Sequence, residues 1–255
     1  MRDSDFAIQI EEVSKCYRLV RNRPTSIKEA MVRRSRRSSV EDFWALRDIN
    51  LEIPKGSFFG LIGRNGSGKS TLLKLLSGIH RQTSGSIKIE GNLSALLELG
   101  AGFHPELTGR ENVYLNGAIL GMNRRQMSEV VDEIIEFSGI GEFIDSPVRV
   151  YSSGMYVRLG FAIAVHVDPE VLLVDEVIAV GDEEFQRKCL NHMEMLRRQG
   201  VTIVLVSHDI DQVQDLCDRV AWIDKSHLVE VGDPKEVCER YLGYVNLEEP
   251  ESKSE

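Results

Sequence analysis

The chain has no run of about 18 apolar residues, the length that a membrane-spanning helix needs. Its first ten residues, MRDSDFAIQI, carry acids and no apolar core of the kind a secretory leader has. The expectation is a chain that neither spans a membrane nor is secreted. Cysteine is scarce as well. Cys16, Cys189, Cys217 and Cys238 stand far apart without a CxxC pair, which excludes a sequence-readable zinc site or disulfide framework and points to reduced thiols in cytosol. Internal repeats and low-complexity tracts are absent. What is there is ordinary globular material: 255 residues at 42% hydrophobic content, enough for a sizeable core in one large domain or two small ones.

Charge is unevenly spread. The chain stands at −9, yet residues 18–37 (RLVRNRPTSIKEAMVRRSRR) hold eight of its 31 basic residues against the single acid Glu29, a local +7 that leaves the remainder at −16. An acidic body with one basic segment argues against general nucleic-acid binding, which spreads positive charge over a face. Pro24 followed by TSIKEAMVRR predicts a brief helix with a basic end. Two readings stand for the segment: a solvated loop, or a contact with anionic headgroups or a lipid-linked pyrophosphate.

Apolar runs of strand length alternate with helical periodicity: SFFGLIG before KSTLLKLLSG, EVLLVDE before EEFQRKCLNHMEMLRRQG, VTIVLVSH before DIDQVQDLC, then RVAWID. This order predicts an α/β fold with a mostly parallel sheet covered by helices. Residues 108–165 read as helical, with two helices closed by glycine and a third beginning in YSSGMYVRLG. Asp233, Pro234 and Glu236 form the cap, first-turn proline and capping-box acid of a last helix, and 247–255 (LEEPESKSE) reads as a frayed tail.

The most specific motif is GRNGSGKST: Gly63, Arg64, Asn65, Gly66, Ser67, Gly68, Lys69, Ser70 and Thr71 match GxxxxGK[ST] between a predicted strand and a predicted helix. The glycines permit a tight loop whose amides point at phosphate oxygens. Lys69 adds a point charge near the β and γ phosphates, and the Ser70 hydroxyl suits a magnesium ligand. This loop predicts binding of a nucleoside triphosphate. In VLLVDE, Asp175 emerges at a buried strand's end to hold magnesium and Glu176 follows to polarise the attacking water. His208 closes VTIVLVSH and reaches the γ-phosphate if its strand neighbours that of the loop. Glu176 and His208 are the catalytic candidates. The helix opening at Ser152 has no acid in its first turn, so its bare amides attract an anion.

Over essentially its whole length, the order GRNGSGKST, YSSGM, VLLVDE, Asp182 and His208 resembles the nucleotide-binding subunit of ABC transporters. The resemblance implies a P-loop NTPase core with an inserted helical subdomain, and ATP with Mg2+ as cofactors. YSSGM falls where that family carries its LSGGQ signature, whose helix faces the γ-phosphate bound by a second subunit. Ser152, Gly154 and Arg158 match, whereas Ser153 replaces a glycine and Met155 the glutamine. The resemblance also implies that Asp182 contacts nucleotide, that Tyr17 stacks on adenine, and that Glu98, in LLELGAG, stands where the family's glutamine ligates magnesium.

The combination LLELGAGFHPELTGRENVYLNG, YSSGMYVRL and VDEVIAVGDEEFQRKC looks narrower still, like the ATPases that export lipid-linked polysaccharides: O antigens, capsules and teichoic acids. That resemblance implies a homodimer on the cytoplasmic face of the cell membrane, peripheral to a separate polytopic permease that carries the lipid-linked glycan, with no nucleic acid as partner. Some members add a C-terminal carbohydrate-binding domain. None is expected here, which places substrate selection elsewhere. The implied layout is one nucleotide-binding domain over 1–246, with core 1–96 and 168–246, helical subdomain 97–167 and basic insertion 18–42, then a flexible tail at 247–255. Another ABC transporter, or a soluble ABC ATPase acting on nucleic acid, is the alternative.

Overall fold

The computed structural model describes residues 5–20, 40–97, 100, 102–175 and 182–248. A long antiparallel ribbon opens it. Strands β1 (Phe6–Val20) and β2 (Val40–Pro54) pair from Phe6↔Pro54 to Val20↔Val40, and β4 (Ser84–Ile89) adds to β1 to complete a three-stranded sheet ordered β2-β1-β4. This antiparallel sheet stands beside the mostly parallel sheet that the alternation predicts. Its pairing joins segments on either side of the basic insertion, so no local pattern announces it. The expected helix around TSIKEAMVRR lies outside the described residues.

The larger sheet has six strands in the order β5-β6-β7-β3-β8-β9: Leu93–Leu96, Val171–Asp175, Thr202–Val206, Phe58–Ile62, Arg219–Asp224 and His227–Gly232. All neighbours are parallel except β8 and β9. Its central strands read as unbroken apolar runs because each supplies two cores at once. Phe58, Leu172, Val174, Ile203, Leu205, Val220 and Trp222 face one core; Phe59, Leu61, Val171, Leu173, Val204, Val206, Ala221 and Ile223 face the other. With side chains alternating every residue, both faces demand apolar groups, and burying each large one contributes ~2 kcal/mol.

Helix α1 (Lys69–Leu76) lies in the core shared with the small sheet through Leu72, Leu73, Leu75 and Leu76. The other core is covered by α2 (Gly109–Ile119), α3 (Arg124–Ser138), α4 (Ser153–His166), α5 (Glu183–Arg198), α6 (Ile210–Leu216) and α7 (Pro234–Glu248). Helices α2 and α3 start on complete capping boxes, Thr108 with Glu111 and Asn123 with Gln126, and α3 stops at Gly139 with φ of 64°. At α7, Asp233 Oδ1 accepts from the amides of Lys235 (3.0 Å) and Glu236 (3.3 Å), whereas the Glu236 carboxylate, expected to fold back onto the cap, lies 3.4 Å from Arg240. That helix runs to Glu248, two residues into the segment read as tail.

Candidate nucleotide site

The phosphate loop leaves β3 at Gly63 and enters α1 at Lys69. Gly63 has φ of 146°, and a Cβ there would stand 2.0 Å from the Ile223 carbonyl of β8. Gly68, at φ of 119°, is pressed by β2: its Cβ would stand 2.6 Å from both the Ala45 carbonyl and Leu46 Cδ2. Only glycine combines that backbone with that proximity. Gly66 also has positive φ, but nothing lies within 4 Å of its outer side. The loop is thus clamped at both ends and open at its crest.

The loop's chemistry fits a polyanion. Lys69 is 6% exposed, and its ammonium donates to the carbonyls of Gly63 (2.6 Å) and Arg64 (3.1 Å), which holds the charge inside the loop. Ser67 is buried and its Oγ has no hydrogen-bond partner among the described residues. Helix α1 begins without a side-chain cap or an acid in its first turn, so its amides and dipole present positive potential. A cavity of about 250 Å3 opens here, lined by Asn65, Gly66, Gly68 and Lys69, by Ser70 and Thr71 of α1, and by Phe43 and Ala45 of β2.

Strand order brings the other candidates to the same edge. β7 lies between β6 and β3, and Asp175 pairs with Val206 at the carboxyl ends of β6 and β7. The exposed His208 follows immediately. Its turn is built by its neighbours: Ser207 Oγ accepts from the Asp209 amide (3.0 Å), and Asp209 caps α6 through the Gln212 amide (3.1 Å). His208 therefore projects from the strand next to the loop, the adjacency its proposed role requires. Asp175 is half-buried, and among the described residues no three His, Cys, Asp or Glu gather as a metal cage. The Ser70 hydroxyl with Asp175 suits magnesium, an ion held by one or two protein oxygens together with substrate phosphates. Glu176 and Glu98 lie outside the described residues.

The YSSGM segment is built on another part of the molecule. Helix α4 packs on α2, α3 and α5, whereas the phosphate loop is closed by β2 and β8. Ser152 is the N-cap and its Oγ accepts from the Met155 amide (3.2 Å); Ser153 is exposed, a Cβ on Gly154 would meet Ser152 Oγ at 3.9 Å, and the first turn has no acid. Asp182 takes a position the resemblance did not imply. Its carboxylate caps α5 by accepting from the Phe185 amide (2.9 Å) and binds Arg158, whose guanidinium lies 4.9 Å from the Phe185 ring centroid. The Phe185 amide, and then Arg158, hold this carboxyl below its usual range. Tyr17 is half-buried, with His80 edge-on at 5.9 Å and the Lys15 ammonium 4.8 Å from its centroid.

Two residues that the motifs did not flag belong to this description. Phe43 lines the phosphate cavity. Tyr156, directly after YSSGM, donates its hydroxyl to the Gly100 carbonyl (2.8 Å) and packs its ring against Phe103 at 4.8 Å. Gly100 has φ of 79°, and a Cβ there would stand 2.0 Å from Tyr156 Cε1, so the ring ties α4 to the segment that carries Glu98. The glycine pair in LELGAG was the available signal for that contact.

A family model described as ABC transporter matches residues 46–179, a little over half of the chain. The chain belongs to the ABC transporter family. Among its relatives in that family, the O-antigen export system ATP-binding protein RfbB of Myxococcus xanthus is 52% identical over 99% of this chain, which spans 59% of that relative's length. RfbB of Klebsiella pneumoniae is 44% identical, covering 92% of this chain and 96% of its own. The teichoic acids export ATP-binding protein TagH of Listeria innocua is 42% identical over 94% of this chain and 71% of its own. The ATP-binding cassette MJ0796, solved as a dimer in a post-hydrolysis state bound to ADP and Pi, superposes with a TM-score of 0.72 at 21% identity, covering 89% of this chain and 98% of that one. That likeness bears on the fold: this chain has the α/β architecture of an ABC ATPase.

Proposed function

We propose that this chain is the ATP-binding and hydrolysing subunit that powers export of a lipid-linked polysaccharide or teichoic acid through a separate membrane subunit. The observation that carries the ATPase reading is the clamped loop at Gly63–Thr71, with its buried lysine, unpartnered Ser67 hydroxyl and acid-free helix end. The glycan is proposed from the names of the RfbB and TagH relatives.

Lys69 and the α1 amides would hold the phosphates, and Ser70, Asp175 and Glu98 are the oxygen donors for magnesium. When bound, that ion neutralises charge on the phosphates. Glu176 takes the proton of the attacking water, and His208 donates towards the γ-phosphate from the neighbouring strand. The sequence has a single phosphate loop and a single YSSGM segment. Two copies arranged head to tail would bring Ser152, Ser153, Gly154 and Met155 of each onto the nucleotide held by the other. Asp182, which caps α5 and binds Arg158, is proposed to contact the nucleotide from that position.

No helix among the described residues is long and apolar enough to cross a membrane, and the export reading assigns the crossing to a separate membrane subunit. An apolar groove of about 460 Å3 between α2 and α3, lined by Tyr114, Leu115, Ala118, Met122 and Met127, is the docking face proposed for it, and the export reading puts that partnership at the cytoplasmic face of the membrane. The basic segment 21–39 lies outside the described residues; contact with anionic headgroups is proposed for it on charge alone.

Glu176→Gln should bind ATP, fail to turn it over, and accumulate as a dimer. Light scattering that finds only monomer at saturating ATP and magnesium would sink the shared-site arrangement. A pull-down in mild detergent should recover a polytopic membrane protein with glycolipid. Recovery of nucleic acid instead would favour a soluble ABC ATPase.

A further inference from the structure

Strands β8 and β9 are joined by Lys225 and Ser226 alone, since Asp224 pairs with His227. Both residues of that turn lie in the left-handed region, at φ of 44° and 71°, the only consecutive non-glycine pair to do so among the described residues. A two-residue hairpin with positive φ at both positions favours Asn-Gly or Asp-Gly, because a side chain there crowds its own backbone. The chain keeps Lys-Ser instead. Strain of this kind persists only where surrounding contacts fix it.

Those contacts lead to the phosphate loop. The Ser226 amide donates to the Ser67 carbonyl (3.2 Å), the Ser226 carbonyl accepts from the Arg47 amide (2.8 Å), and the Ser226 hydroxyl donates to the Trp44 carbonyl (2.8 Å). From the other side, Tyr244 of α7 donates to the buried Asp224 carboxylate (3.0 Å) and accepts from the Lys225 ammonium (3.0 Å), so α7 backs the turn. One residue thus ties the loop to β2. In a trans peptide the C=O and the following N–H point opposite ways, so a Ser67 carbonyl held on Ser226 turns the Gly68 amide away from the hairpin. The hydroxyl acts on the same glycine from β2: it holds Trp44, the residue before the Ala45 whose carbonyl closes on Gly68. Gly68 lines the phosphate cavity.

We propose that Ser226 is a positioning residue of the ATPase, whose hydroxyl seats β2 against Gly68 and so sets the loop for the phosphates. The assignment rests on the nucleotide reading above. The two backbone bonds of residue 226 survive any side chain but proline's. The hydroxyl is therefore what serine adds over the glycine that the turn favours.

Two variants of the full chain separate the hydroxyl from the backbone. Ser226→Gly removes the tie and relieves the turn, whereas Ser226→Thr keeps the hydroxyl and, being β-branched, strains the turn further. With magnesium present, Ser226→Gly should weaken ATP about fivefold by titration calorimetry, while its urea midpoint stays within ~0.2 M of the parent or rises. Ser226→Thr should bind ATP within about twofold of the parent at a lower urea midpoint. A serine that only stabilised the fold would order the two the other way, with affinity following stability. The assignment is overturned if Ser226→Gly binds ATP as the parent does, or if folded Ser226→Thr loses as much affinity as Ser226→Gly. A parent chain that does not bind ATP refutes the nucleotide reading itself, and this assignment with it.

Discussion

Replacing Asn112 probes the turn that carries the chain from the segment around Gly100 into α2. The side chain has no exposure. Its Oδ1 accepts from the His104 amide (2.7 Å), and its Nδ2 donates to the carbonyls of His104 (3.1 Å), Leu107 (3.1 Å) and Thr108 (2.9 Å). Each of those carbonyls also receives a backbone amide, from Leu107, Val148 and Asn112 in turn. The His104 amide bonds to Asn112 alone among the described residues. Asn112→Ala therefore deletes four hydrogen bonds but strips one donor outright. A stripped donor costs about 1–3 kcal/mol and a lost bond whose partner keeps another about 0.5–1.5 kcal/mol. Because residues 104–106 are exposed and can rehydrate, the low end applies, on the order of 3 kcal/mol in total. With an m-value of about 3 kcal/mol/M, the urea midpoint should fall by ~1 M. Asn112→Asp keeps the acceptor but sets a carboxylate oxygen against three carbonyls, so it should be the less stable variant at pH 7. Its carboxyl pKa is raised by folding, and its deficit should shrink as pH falls through that raised value. A midpoint for Asn112→Ala within ~0.2 M of the parent, or an Asn112→Asp variant as stable as it at pH 7, would refute this account.

The remaining predictions concern titratable groups outside the nucleotide site. His166 and His192 lie with ring centroids 4.7 Å apart against Phe137, and burial holds both below the ordinary 6.5, His192 further lowered by His166; Lys188 depresses both, and Glu133 opposes it at His166. Both are neutral when folded and protonate when unfolded, so they cost nothing above about pH 6.5 and erode stability as pH falls from there towards their folded values. Urea midpoints measured from pH 7.5 to 5.5 should decline more steeply in the parent than in the double variant His166→Gln/His192→Gln; equal slopes would refute the assignment. Burial pushes Cys189 and Cys217 up to about 12 and raises Cys238, while Cys16 is only partly buried. A thiol reagent at pH 8 should modify one cysteine quickly in the native chain, Cys16, and rapid labelling of a second by mass spectrometry would contradict the burial described.

What the sequence determined by itself is whatever a few consecutive residues encode. GRNGSGKST specifies its loop because three glycines with positive φ and one lysine act within nine positions, and the strand-length apolar runs mark buried parallel strands because both faces of each must be apolar. The acid-free start of α4 and the glycine stop of α3 were readable for the same reason. Tertiary structure decided what joins residues tens of positions apart. Sheet order set β7 between β6 and β3, which brings Asp175, His208 and the phosphate loop to one edge. Pairing across the basic insertion made the antiparallel sheet and set Phe43 beside the loop. The approach of α4, carrying Arg158, gave the Asp182 carboxylate an ion-pair partner beside its helix-capping bond, which no local pattern announced. Tyr156 met Gly100 across 56 positions for a like reason. A side chain's type limits the bonds it can make, but packing of distant elements chooses among them, because a buried polar group takes whichever partner the fold puts within 3 Å.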